Sequence, residues 1–293
     1  MKKIGKAIGI IIAGLLAILL IAFGIIFGIS SSRLQKRYPA TTGTEQFSLP
    51  TDPASIEEGK RLYISRGCVD CHGDNLAGKV FAEDPAIGRF AGSNLTLETN
   101  AFGIARAIRR GIGTDGRSLI FMPATDYQGL SDEDTARIIS FIKSRPKMDQ
   151  PSIPQSVGPV GRLLFVFGKL PLLASAEQIS DQNKPPKRIQ PTITIEFGHY
   201  ISESCTGCHG SNLSGGPIPG APPEWPPAQS ITGEALSKWN ERQFISAIRT
   251  GKRPDGSIMK APMPWENFAH MSDIELQALW LYLKTTPKEG KKL

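Results

Sequence analysis

The sequence has only four cysteines in 293 residues, and each of them lies in one of two short motifs. No cysteine is therefore left over for lipid attachment near the N-terminus. The chain also lacks the βαβ pattern that accompanies a thioredoxin-like dithiol. Glycine (30) and proline (23) are abundant, but the charged fraction of 21% is ordinary. The composition thus gives no sign of global disorder, and the length suits about two domains.

A basic face on a folded region is missing as well. The net charge is +7, and residues 1–49 contribute +5 of it through six basic and one acidic side chain. Residues 50–148 balance 13 basic against 13 acidic side chains, 149–190 contribute +2, 191–288 contribute −1 and the last five residues +1. Because a nucleic-acid-binding domain concentrates positive charge on one face, this distribution argues against nucleic acid as a partner.

The chain does contain one pentapeptide pattern twice. Cys68-Val69-Asp70-Cys71-His72 is repeated as Cys205-Thr206-Gly207-Cys208-His209. The pattern Cys-x-x-Cys-His is typical of c-type haem attachment, in which two thiols add to the vinyl groups of one porphyrin and the adjacent imidazole binds the iron. The motifs predict two covalently attached haem c groups. The attachment residues are Cys68, Cys71, Cys205 and Cys208, and the proximal iron ligands are His72 and His209.

A structural zinc site is the main alternative, since zinc is often bound by cysteine pairs at this spacing. Here the pairs lie 137 residues apart (205 − 68), and zinc does not require a histidine directly after each second cysteine. We therefore favour haem over zinc and over a redox dithiol.

The N-terminal segment is apolar enough to anchor the chain in a membrane. Three lysines lie within Met1 to Lys6, and the 23 residues from Ala7 to Ile29 carry no charge. As a helix this run is about 35 Å long, enough for a hydrocarbon core of about 30 Å. A cleaved signal peptide typically has an apolar region of only about 7–15 residues and an A-x-A-like site, and neither condition is met. We expect an uncleaved signal anchor over residues 1–29, a single span of the inner membrane.

Orientation follows from the haem motifs rather than from the flanking charges. Arg33, Lys36 and Arg37 offset the lysines on the other side of the span, so the positive-inside rule gives no direction. Because c-type haem is attached outside the cytoplasm, the haem-bearing part is expected on the periplasmic side.

The surroundings of the motif are also repeated, which indicates a duplicated domain. Residues 72–78 match 209–215, and residues 107–111 match 247–251. Tyr63 and Tyr200 each precede the first cysteine of a motif by five residues. The offset grows from 137 at the motifs to 141 at the closing helices (272 − 131), and we expect the four extra residues in the proline-rich loop 216–229.

These matches give a division of the chain into six parts. They are the anchor 1–29, a tether 30–53, a first haem domain 54–148, a linker 149–190, a second haem domain 191–288 and a tail 289–293. The predicted fold class is all-α. Ser55-x-x-Glu58 predicts a helix as far as about Arg66, and Ser131 and Ser272 are expected to cap the closing helices.

The linker contains an apolar stretch from Gly161 to Leu173. At 13 residues, interrupted by charge, it is too short to span a bilayer. Two interpretations stay open. Its side chains pack against the two domains, or they form a docking surface for a membrane-bound partner or for the bilayer itself.

The second axial ligand decides whether such an iron transfers electrons or binds substrate. Methionine is usually a core filler, so position within the repeat must identify a ligand. Met122 and Met263 each lie nine residues before a helix cap (131 − 122 and 272 − 263), and each precedes a proline. We predict both as iron ligands. Met259 remains the alternative for the second site.

The two copies resemble class I cytochrome c domains. The resemblance rests on Cys-x-x-Cys-His-Gly-x-Asn-Leu-x-Gly, the later Met-Pro and the closing Ser-Asp-x-(Asp/Glu) helix, and it covers about residues 55–290. More narrowly, the chain is similar to the multihaem cytochrome subunits of periplasmic alcohol, aldehyde and gluconate dehydrogenases. The resemblance implies two tandem class I domains with low-spin haem in a crevice, His/Met ligation and one exposed haem edge.

Two six-coordinate irons leave no position for a substrate, so the pattern predicts electron relay rather than an enzyme. We expect an anchored dihaem cytochrome that connects a dehydrogenase or quinol-oxidising complex to a terminal acceptor. Two alternatives stay open. One is a catalytic dihaem cytochrome of peroxidase or thiosulfate-oxidising type, which needs an exchangeable iron position. The other is an obligate dihaem subunit of a haem–copper oxidase.

Overall fold

The computed structural model describes residues 2–39, 48–180, 184–222 and 224–287, and it is predominantly helical, as predicted. The α-helices are α1 Lys2–Leu34, α2 Pro53–Ser65, α3 Cys68–His72, α4 Ala101–Arg110, α5 Asp132–Ser144, α6 Pro159–Val166, α7 Ile195–Ser202, α8 Thr206–His209, α9 Glu241–Thr250, α10 Trp265–Phe268 and α11 Asp273–Thr285. Short 3-10 helices cover Leu95–Leu97, Ala124–Asp126, Pro171–Glu177 and Glu203–Cys205, and the strands are β1 Val80–Asp84, β2 Gly88–Ala91 and β3 Ser156–Val157.

Helix α1 contains the whole uncharged run and continues through Ser30 to Leu34. Its leucine and isoleucine side chains point outward with no protein around them as far as Ile25. Lys3–Leu34 is the described helix that is long and apolar enough to cross a membrane unaided. A helix of this composition requires an apolar environment, since water-exposed apolar surface of this extent is unfavourable.

Helix α2 begins three residues earlier than the sequence pattern predicts. Asp52 is its N-cap and accepts a hydrogen bond from the Ser55 amide, while Pro53 occupies the first helical position. The prediction of Ser55 as the cap was wrong because an Asp-Pro pair is a better helix start than a serine. The closing helices agree with the prediction. Ser131 caps α5, and Ser272 with Glu275 forms a capping box on α11.

In each unit the first helix crosses the closing helix at a glycine. A Cβ atom on Gly59 of α2 would lie 2.0 Å from the carbonyl oxygen of Arg137 in α5, and one on Gly198 of α7 would lie 2.0 Å from that of Ala278 in α11. These glycines are therefore equivalent, although they precede the first cysteine by nine and seven residues. It follows that Tyr63 aligns with Ser202, and the predicted match of Tyr63 with Tyr200 was wrong.

The two tyrosines accordingly make different contacts. The Tyr63 hydroxyl donates to the Gly73 carbonyl within the first unit, at 2.7 Å. The Tyr200 hydroxyl reaches out of the second unit, donates to Asp134 Oδ2 (2.7 Å) and accepts from the Ser131 amide (3.1 Å). Tyr200 thus binds the start of α5 in the first unit.

The first unit and the linker share a small antiparallel sheet of order β1-β2-β3. Strands β1 and β2 form a hairpin with Asp84 opposite Gly88, and β3 adds to it with Val157 opposite Gly88. The hairpin was not predicted, because every residue of β1 is exposed and the strand has no alternating pattern. It connects the linker to the first unit just before α6 begins.

The linker packs its buried side chains against the first unit and the end of α1. Phe165, Leu170 and Leu173 form a core with Phe90 of β2, and Leu34 of α1 lies against it. This supports the first of the two interpretations for these side chains. The segments Pro159–Val166 and Pro171–Glu177 are bent by 51° relative to each other.

A buried ion-pair network joins the two units. Glu275 of α11 binds Arg61 Nη1 (2.5 Å) and Arg66 Nη2 (3.2 Å), which belong to the first unit. The side chains of Arg66 and Glu275 are 2% and 4% exposed. Asn267 also donates to Asp70 Oδ2 at 2.7 Å. Together with a hydrophobic core that includes residues of both units, these contacts fix the two haem motifs relative to each other.

Candidate haem sites

Both motif histidines have one ring nitrogen fixed by a backbone carbonyl. His72 Nδ1 lies 2.9 Å from the Ser93 oxygen, and His209 Nδ1 lies 2.6 Å from the Gln229 oxygen. A carbonyl accepts a hydrogen bond, so each Nδ1 carries the proton and each Nε2 presents its lone pair. Burial also lowers the pKa of both imidazoles, which favours the neutral form that binds a metal.

The carbonyl positions locate the extra residues of the second copy. Ser93 follows His72 by 21 residues (93 − 72) and Gln229 follows His209 by 20 (229 − 209), so the proline-rich loop is not lengthened. The next helix cap, however, is 7 residues after Ser93 (Asn100) but 11 after Gln229 (Asn240). The predicted insertion in loop 216–229 was therefore wrong. The added residues lie in 230–239, beyond the carbonyl whose position the histidine restricts.

The four cysteines lie as free thiols at the edge of the core. Cys68 and Cys205 pack against the hydrophobic core, and Cys208 is the exposed member of the set. Burial raises the pKa of Cys68 and Cys205 to about 12 and that of Cys71 to about 11. Neutral thiols in apolar surroundings are poor metal ligands, and among the described residues no three metal-binding side chains form a cluster. This geometry does not support the zinc alternative.

The loop after each motif turns on a leucine with positive φ. Leu76 has φ 64° and Leu213 has φ 60°, and both side chains are buried. The preceding asparagines stabilise the turn, since Asn75 Oδ1 accepts from the Ala77 amide and Asn212 Oδ1 from the Ser214 amide. A left-handed leucine is unusual and persists only where the surroundings require it. The repeated Asn-Leu therefore places an apolar side chain next to each motif.

Met122 and Met263 occupy equivalent backbone positions. The Met122 carbonyl accepts from the Ala124 amide (2.8 Å) and the Met263 carbonyl from the Trp265 amide (2.9 Å). The prolines that follow have nearly the same dihedral angles, φ −79° and ψ 56° against φ −86° and ψ 58°. Both methionine side chains are partly buried against the core.

Met259 corresponds instead to Leu119 of the first unit. The Leu119 amide donates to the Gly111 carbonyl and the Met259 amide to the Gly251 carbonyl, each at 2.6 Å. The second unit has one more residue between this position and the Met-Pro pair. The Met259 side chain also packs against the core, so position within the fold distinguishes it from Met263.

Different residues support the two methionine loops. In the first unit the buried Ser175 of the linker donates to the Met122 carbonyl at 2.8 Å, and the Phe121 amide donates to the Leu172 carbonyl at 2.9 Å. Ser175 Oγ lies where a side chain on Gly111 would be, whereas Trp265 lies against the equivalent Gly251. The linker thus takes the place that an aromatic ring of the second unit takes for itself.

The repeated arginines of α4 and α9 bind the closing helices. Arg109 Nη2 lies 2.8 Å from Asp132 Oδ1, and Arg249 Nη2 lies 2.7 Å from Asp273 Oδ1. Each aspartate is the first residue of a closing helix, where a carboxylate is favourable. The sequence suggests no pairing for these arginines, and the matching contacts account for their repetition.

The two haem motifs approach each other around Arg66. Its Nη1 contacts Ser204 Oγ, next to Cys205, at 3.4 Å, and its carbonyl, two residues before Cys68, accepts a 2.7 Å hydrogen bond from the Tyr127 hydroxyl. The charge of Arg66 acts on both Cys68 and Cys205. The first cysteine of each motif therefore faces the same buried cation.

Asp126 of the first methionine loop lies against the second motif. A side chain on Gly207 would meet its carboxylate, and burial raises the pKa of Asp126 to about 6. Sequence reasoning missed both Arg66 and Asp126, because each acts across the contact between the units.

The residues present fit covalent haem c in both units. A free Nε2, two cysteines one turn apart and a methionine on a separate loop supply the attachment and ligation that such a haem requires. The histidine and the methionine of each unit come from opposite ends of the unit's sequence.

Comparison with known proteins agrees with this geometry. The family model described as Cytochrome c matches residues 56–146 and 198–287. The fructose dehydrogenase cytochrome subunit of Gluconobacter japonicus is 24% identical over 291 residues, covering 85% of this chain and 57% of that protein. The cytochrome c subunit of alcohol dehydrogenase (quinone) from Gluconobacter oxydans is 26% identical over 281 residues, covering 83% and 57%.

A third relative is a nicotinate dehydrogenase subunit from Pseudomonas putida, 24% identical over 274 residues, which make up 82% of this chain and 22% of that protein. The chain thus spans between about a fifth and three fifths of the length of these curated relatives. All three names refer to subunits of dehydrogenases.

Proposed function

The chain belongs to the cytochrome c family, with two copies of the domain, and on that premise we propose that it is an anchored dihaem cytochrome that relays electrons from a dehydrogenase. Members of this family bind haem c covalently and transfer electrons. The observation that carries the proposal is the twofold arrangement of a histidine with a fixed Nδ1 proton and a methionine in an equivalent loop.

In this proposal Cys68 and Cys71 attach the first haem, and Cys205 and Cys208 attach the second. His72 and Met122 ligate the first iron, and His209 and Met263 ligate the second. Each bound haem supplies a one-electron Fe(III)/Fe(II) couple. The histidines stay neutral and oriented through the Ser93 and Gln229 carbonyls, and the methionines leave no position for a substrate.

Transfer between the two haems within one molecule is part of the proposal. The first cysteines of both motifs face Arg66, and Asp126 and Tyr127 lie between the motifs. The buried Arg66–Glu275 pair and the Tyr200 hydrogen bonds keep this arrangement rigid. A rigid contact favours electron transfer because no domain motion is needed before the step.

The anchor and the partner rest on separate grounds. Helix α1 has the length and composition of a membrane span, which places the relay at the periplasmic face of the inner membrane. The relatives are named as dehydrogenase subunits, so we propose a dehydrogenase as the electron donor. A terminal oxidase or another acceptor then takes the electrons. The chain itself acts as an electron carrier and not as an enzyme.

Three methionine variants test the ligand assignment. Met122→Ala and Met263→Ala should each convert one of the two low-spin His/Met signatures in the ferric spectrum and leave the other intact. Met259→Leu, the matched control, should leave both. Two thioether-linked porphyrins per chain are expected in every case.

The opposing results are equally specific. Loss of the second signature in Met259→Leu would assign that residue as the ligand instead. A high-spin iron in the unmodified protein that turns over peroxide would overturn the relay in favour of the catalytic alternative.

A further inference from the structure

Helix α6 of the linker has an apolar stripe that no described part of the protein covers. Val160, Leu163 and Phe167, three and four residues apart, lie on one side of α6 and its C-cap and are 40%, 37% and 68% exposed. Gly161 and Phe165 on the opposite side are buried. An exposed stripe at this spacing on an amphipathic helix is typical of contact with a second apolar phase.

The stripe lies beside the end of the apolar run of α1. The Arg162 Nη1 atom donates to the hydroxyls of Ser30 and Ser31, each at 2.9 Å, and its guanidinium lies 4.4 Å from the centre of the Phe27 ring. Arg33 in turn lies 3.9 Å from the centre of the Phe165 ring and donates to the Phe165 carbonyl. Helix α6 is therefore level with residues 27–33, where the uncharged segment of α1 meets polar residues.

This level is where a bilayer ends if α1 spans it. The uncharged run stops at Ile29, and Ile25, Phe27 and Ile29 are still exposed side chains of α1. The apolar surface of α1 continues directly into that of α6 through the Phe27–Arg162 contact. Because the two helices are joined by an ion pair, three hydrogen bonds and two cation–π contacts, α6 cannot leave this level without breaking them.

Charge near the stripe agrees with a lipid surface. Lys169 is exposed two residues after Phe167, and Lys36 and Arg37 follow α1. The sequence from 149 to 190 has a net charge of +2. Basic side chains at the edge of an apolar face interact favourably with lipid phosphates.

We propose that α6 lies in the membrane–water interface, with Val160, Leu163 and Phe167 inserted among the lipids. This inference rests on the α1 anchor of the proposed function. It gives the first haem domain a second point of contact with the bilayer, so that the domain has a fixed orientation instead of rotating about the end of α1. The linker also bonds to the Met122 loop through Ser175, and the first haem is therefore the one oriented toward a membrane-bound partner.

Lipid photocrosslinking of the full haem-loaded chain tests the proposal. Because the native cysteines are consumed by haem, Leu163→Cys and Phe167→Cys each provide one reactive thiol for a benzophenone maleimide. The labelled protein is placed in liposomes of phosphatidylethanolamine and phosphatidylglycerol and irradiated, and lipid adducts are quantified by mass spectrometry. Leu20→Cys in α1 is the positive control, and Ser237→Cys, exposed on the second unit, is the negative control.

We expect at least a tenfold higher adduct yield at positions 163 and 167 than at 237, with position 20 also high. Yields at 163 and 167 equal to that at 237, with position 20 high, would overturn the interfacial placement and leave the anchor intact. A low yield at position 20 would overturn both. The same experiment in native membranes would oppose the proposal if labels at 163 and 167 captured a protein instead of lipid. The ferric spectrum of each sample reports independently on the haem sites.

Discussion

Ser175 shows how one hydroxyl outside both repeats bears on a predicted iron ligand. The residue is fully buried in the linker and donates to the Met122 carbonyl at 2.8 Å. The equivalent space in the second unit is filled by Trp265. The position of Met122 therefore depends on a segment that is not part of the first repeat.

Replacing Ser175 by alanine should weaken the first site only. The Met122 carbonyl loses its donor, at a cost of about 1 kcal/mol, and Met122 is less firmly placed. The expected result is a lower reduction potential and a weaker methionine-to-iron band for one haem, with the other unchanged. A redox titration followed optically measures both.

Ser140→Ala is the matched control for Ser175→Ala. Ser140 is also a buried serine of the first half of the chain, and its Oγ has no hydrogen-bond partner in the described structure. Its loss should leave both potentials unchanged. Equal shifts of the two haems in Ser175→Ala would contradict a local effect on the Met122 loop.

Glu275 is the residue on which the contact between the units most depends. It neutralises Arg61 and the fully buried Arg66. Removing one partner of a buried ion pair leaves an uncompensated charge and costs about 3 kcal/mol or more. Glu275→Gln should therefore lower the free energy of unfolding by about that amount, measured by denaturant titration of the haem-loaded chain. Glu241→Gln, on the exposed first turn of α9, is the control and should have little effect.

The same pair predicts a dependence on pH. Burial opposes the charge of Glu275, but Arg66 and Arg61 outweigh it, so its pKa lies below the ordinary value. A carboxyl group with a depressed pKa stabilises the fold above its unfolded pKa, about 4.3, and this stabilisation is lost as the pH falls through the folded value. Unfolding free energies measured from pH 7 down to pH 3 should fall less steeply in Glu275→Gln than in the unmodified chain. Parallel curves would contradict this assignment.

At the scale of single residues, the sequence was sufficient wherever chemistry requires a short motif. Cys-x-x-Cys-His and Met-Pro recur at fixed positions, and they predict the candidate attachment and ligand residues. Ser175, Arg66 and Glu275 carry no such pattern, because each acts on a residue more than 50 positions away. Contacts of that kind depend on the fold and are not written in local spacing.

Helix crossings are the next scale, and Gly59 gives a test there. A Cβ atom at this position would lie 2.0 Å from the Arg137 carbonyl, so α2 and α5 must separate to admit it. Gly59→Ala should destabilise the first unit by about 1–3 kcal/mol. Gly103→Ala is the control within the same unit, since its Cβ meets side-chain atoms only at 3.6 Å or more.

The control is expected to have the opposite sign. Alanine in place of a helical glycine stabilises by about 0.5–1 kcal/mol where space allows. Thermal unfolding followed by circular dichroism distinguishes the two variants. If Gly59→Ala and Gly103→Ala behaved alike, close approach of the helices would not be what requires glycine at position 59.

Elements were predictable where one pattern determined them. The closing helices have serine caps and one apolar face, and both were predicted within a residue or two. The β1–β2 hairpin was missed because β1 is exposed along its whole length. Helix α2 was shifted because two caps competed and Asp52 with Pro53 prevailed. The place of the insertion required the histidine–carbonyl bonds, which only the folded chain shows.

At the scale of the whole molecule, the contacts form one connected path from the anchor to the second unit. Arg33 of α1 binds Glu177 of the linker at 2.7 Å, and Ser175 of the same segment binds the Met122 loop. The first unit is joined in turn to the second by Glu275, Tyr200 and Asn267. Two repeats found in the sequence as separate domains thus share one hydrophobic core.

A shared core predicts that the two units unfold together. Opening the contact exposes Arg66 and Glu275 and breaks the Tyr200 bonds, which is unfavourable as long as both units are folded. Calorimetry of the haem-loaded chain in detergent should show one transition, and the loss of the two methionine-to-iron signatures should coincide with it. Tyr200→Phe combined with Glu275→Gln removes the hydrogen bonds and the ion pair while it keeps the volume of both side chains. This double variant should separate the signal into two transitions at lower temperature, each accompanied by the loss of one signature. Two transitions already in the unmodified chain would mean that the units fold independently, and the proposed rigid route between the haems would then lose its structural basis.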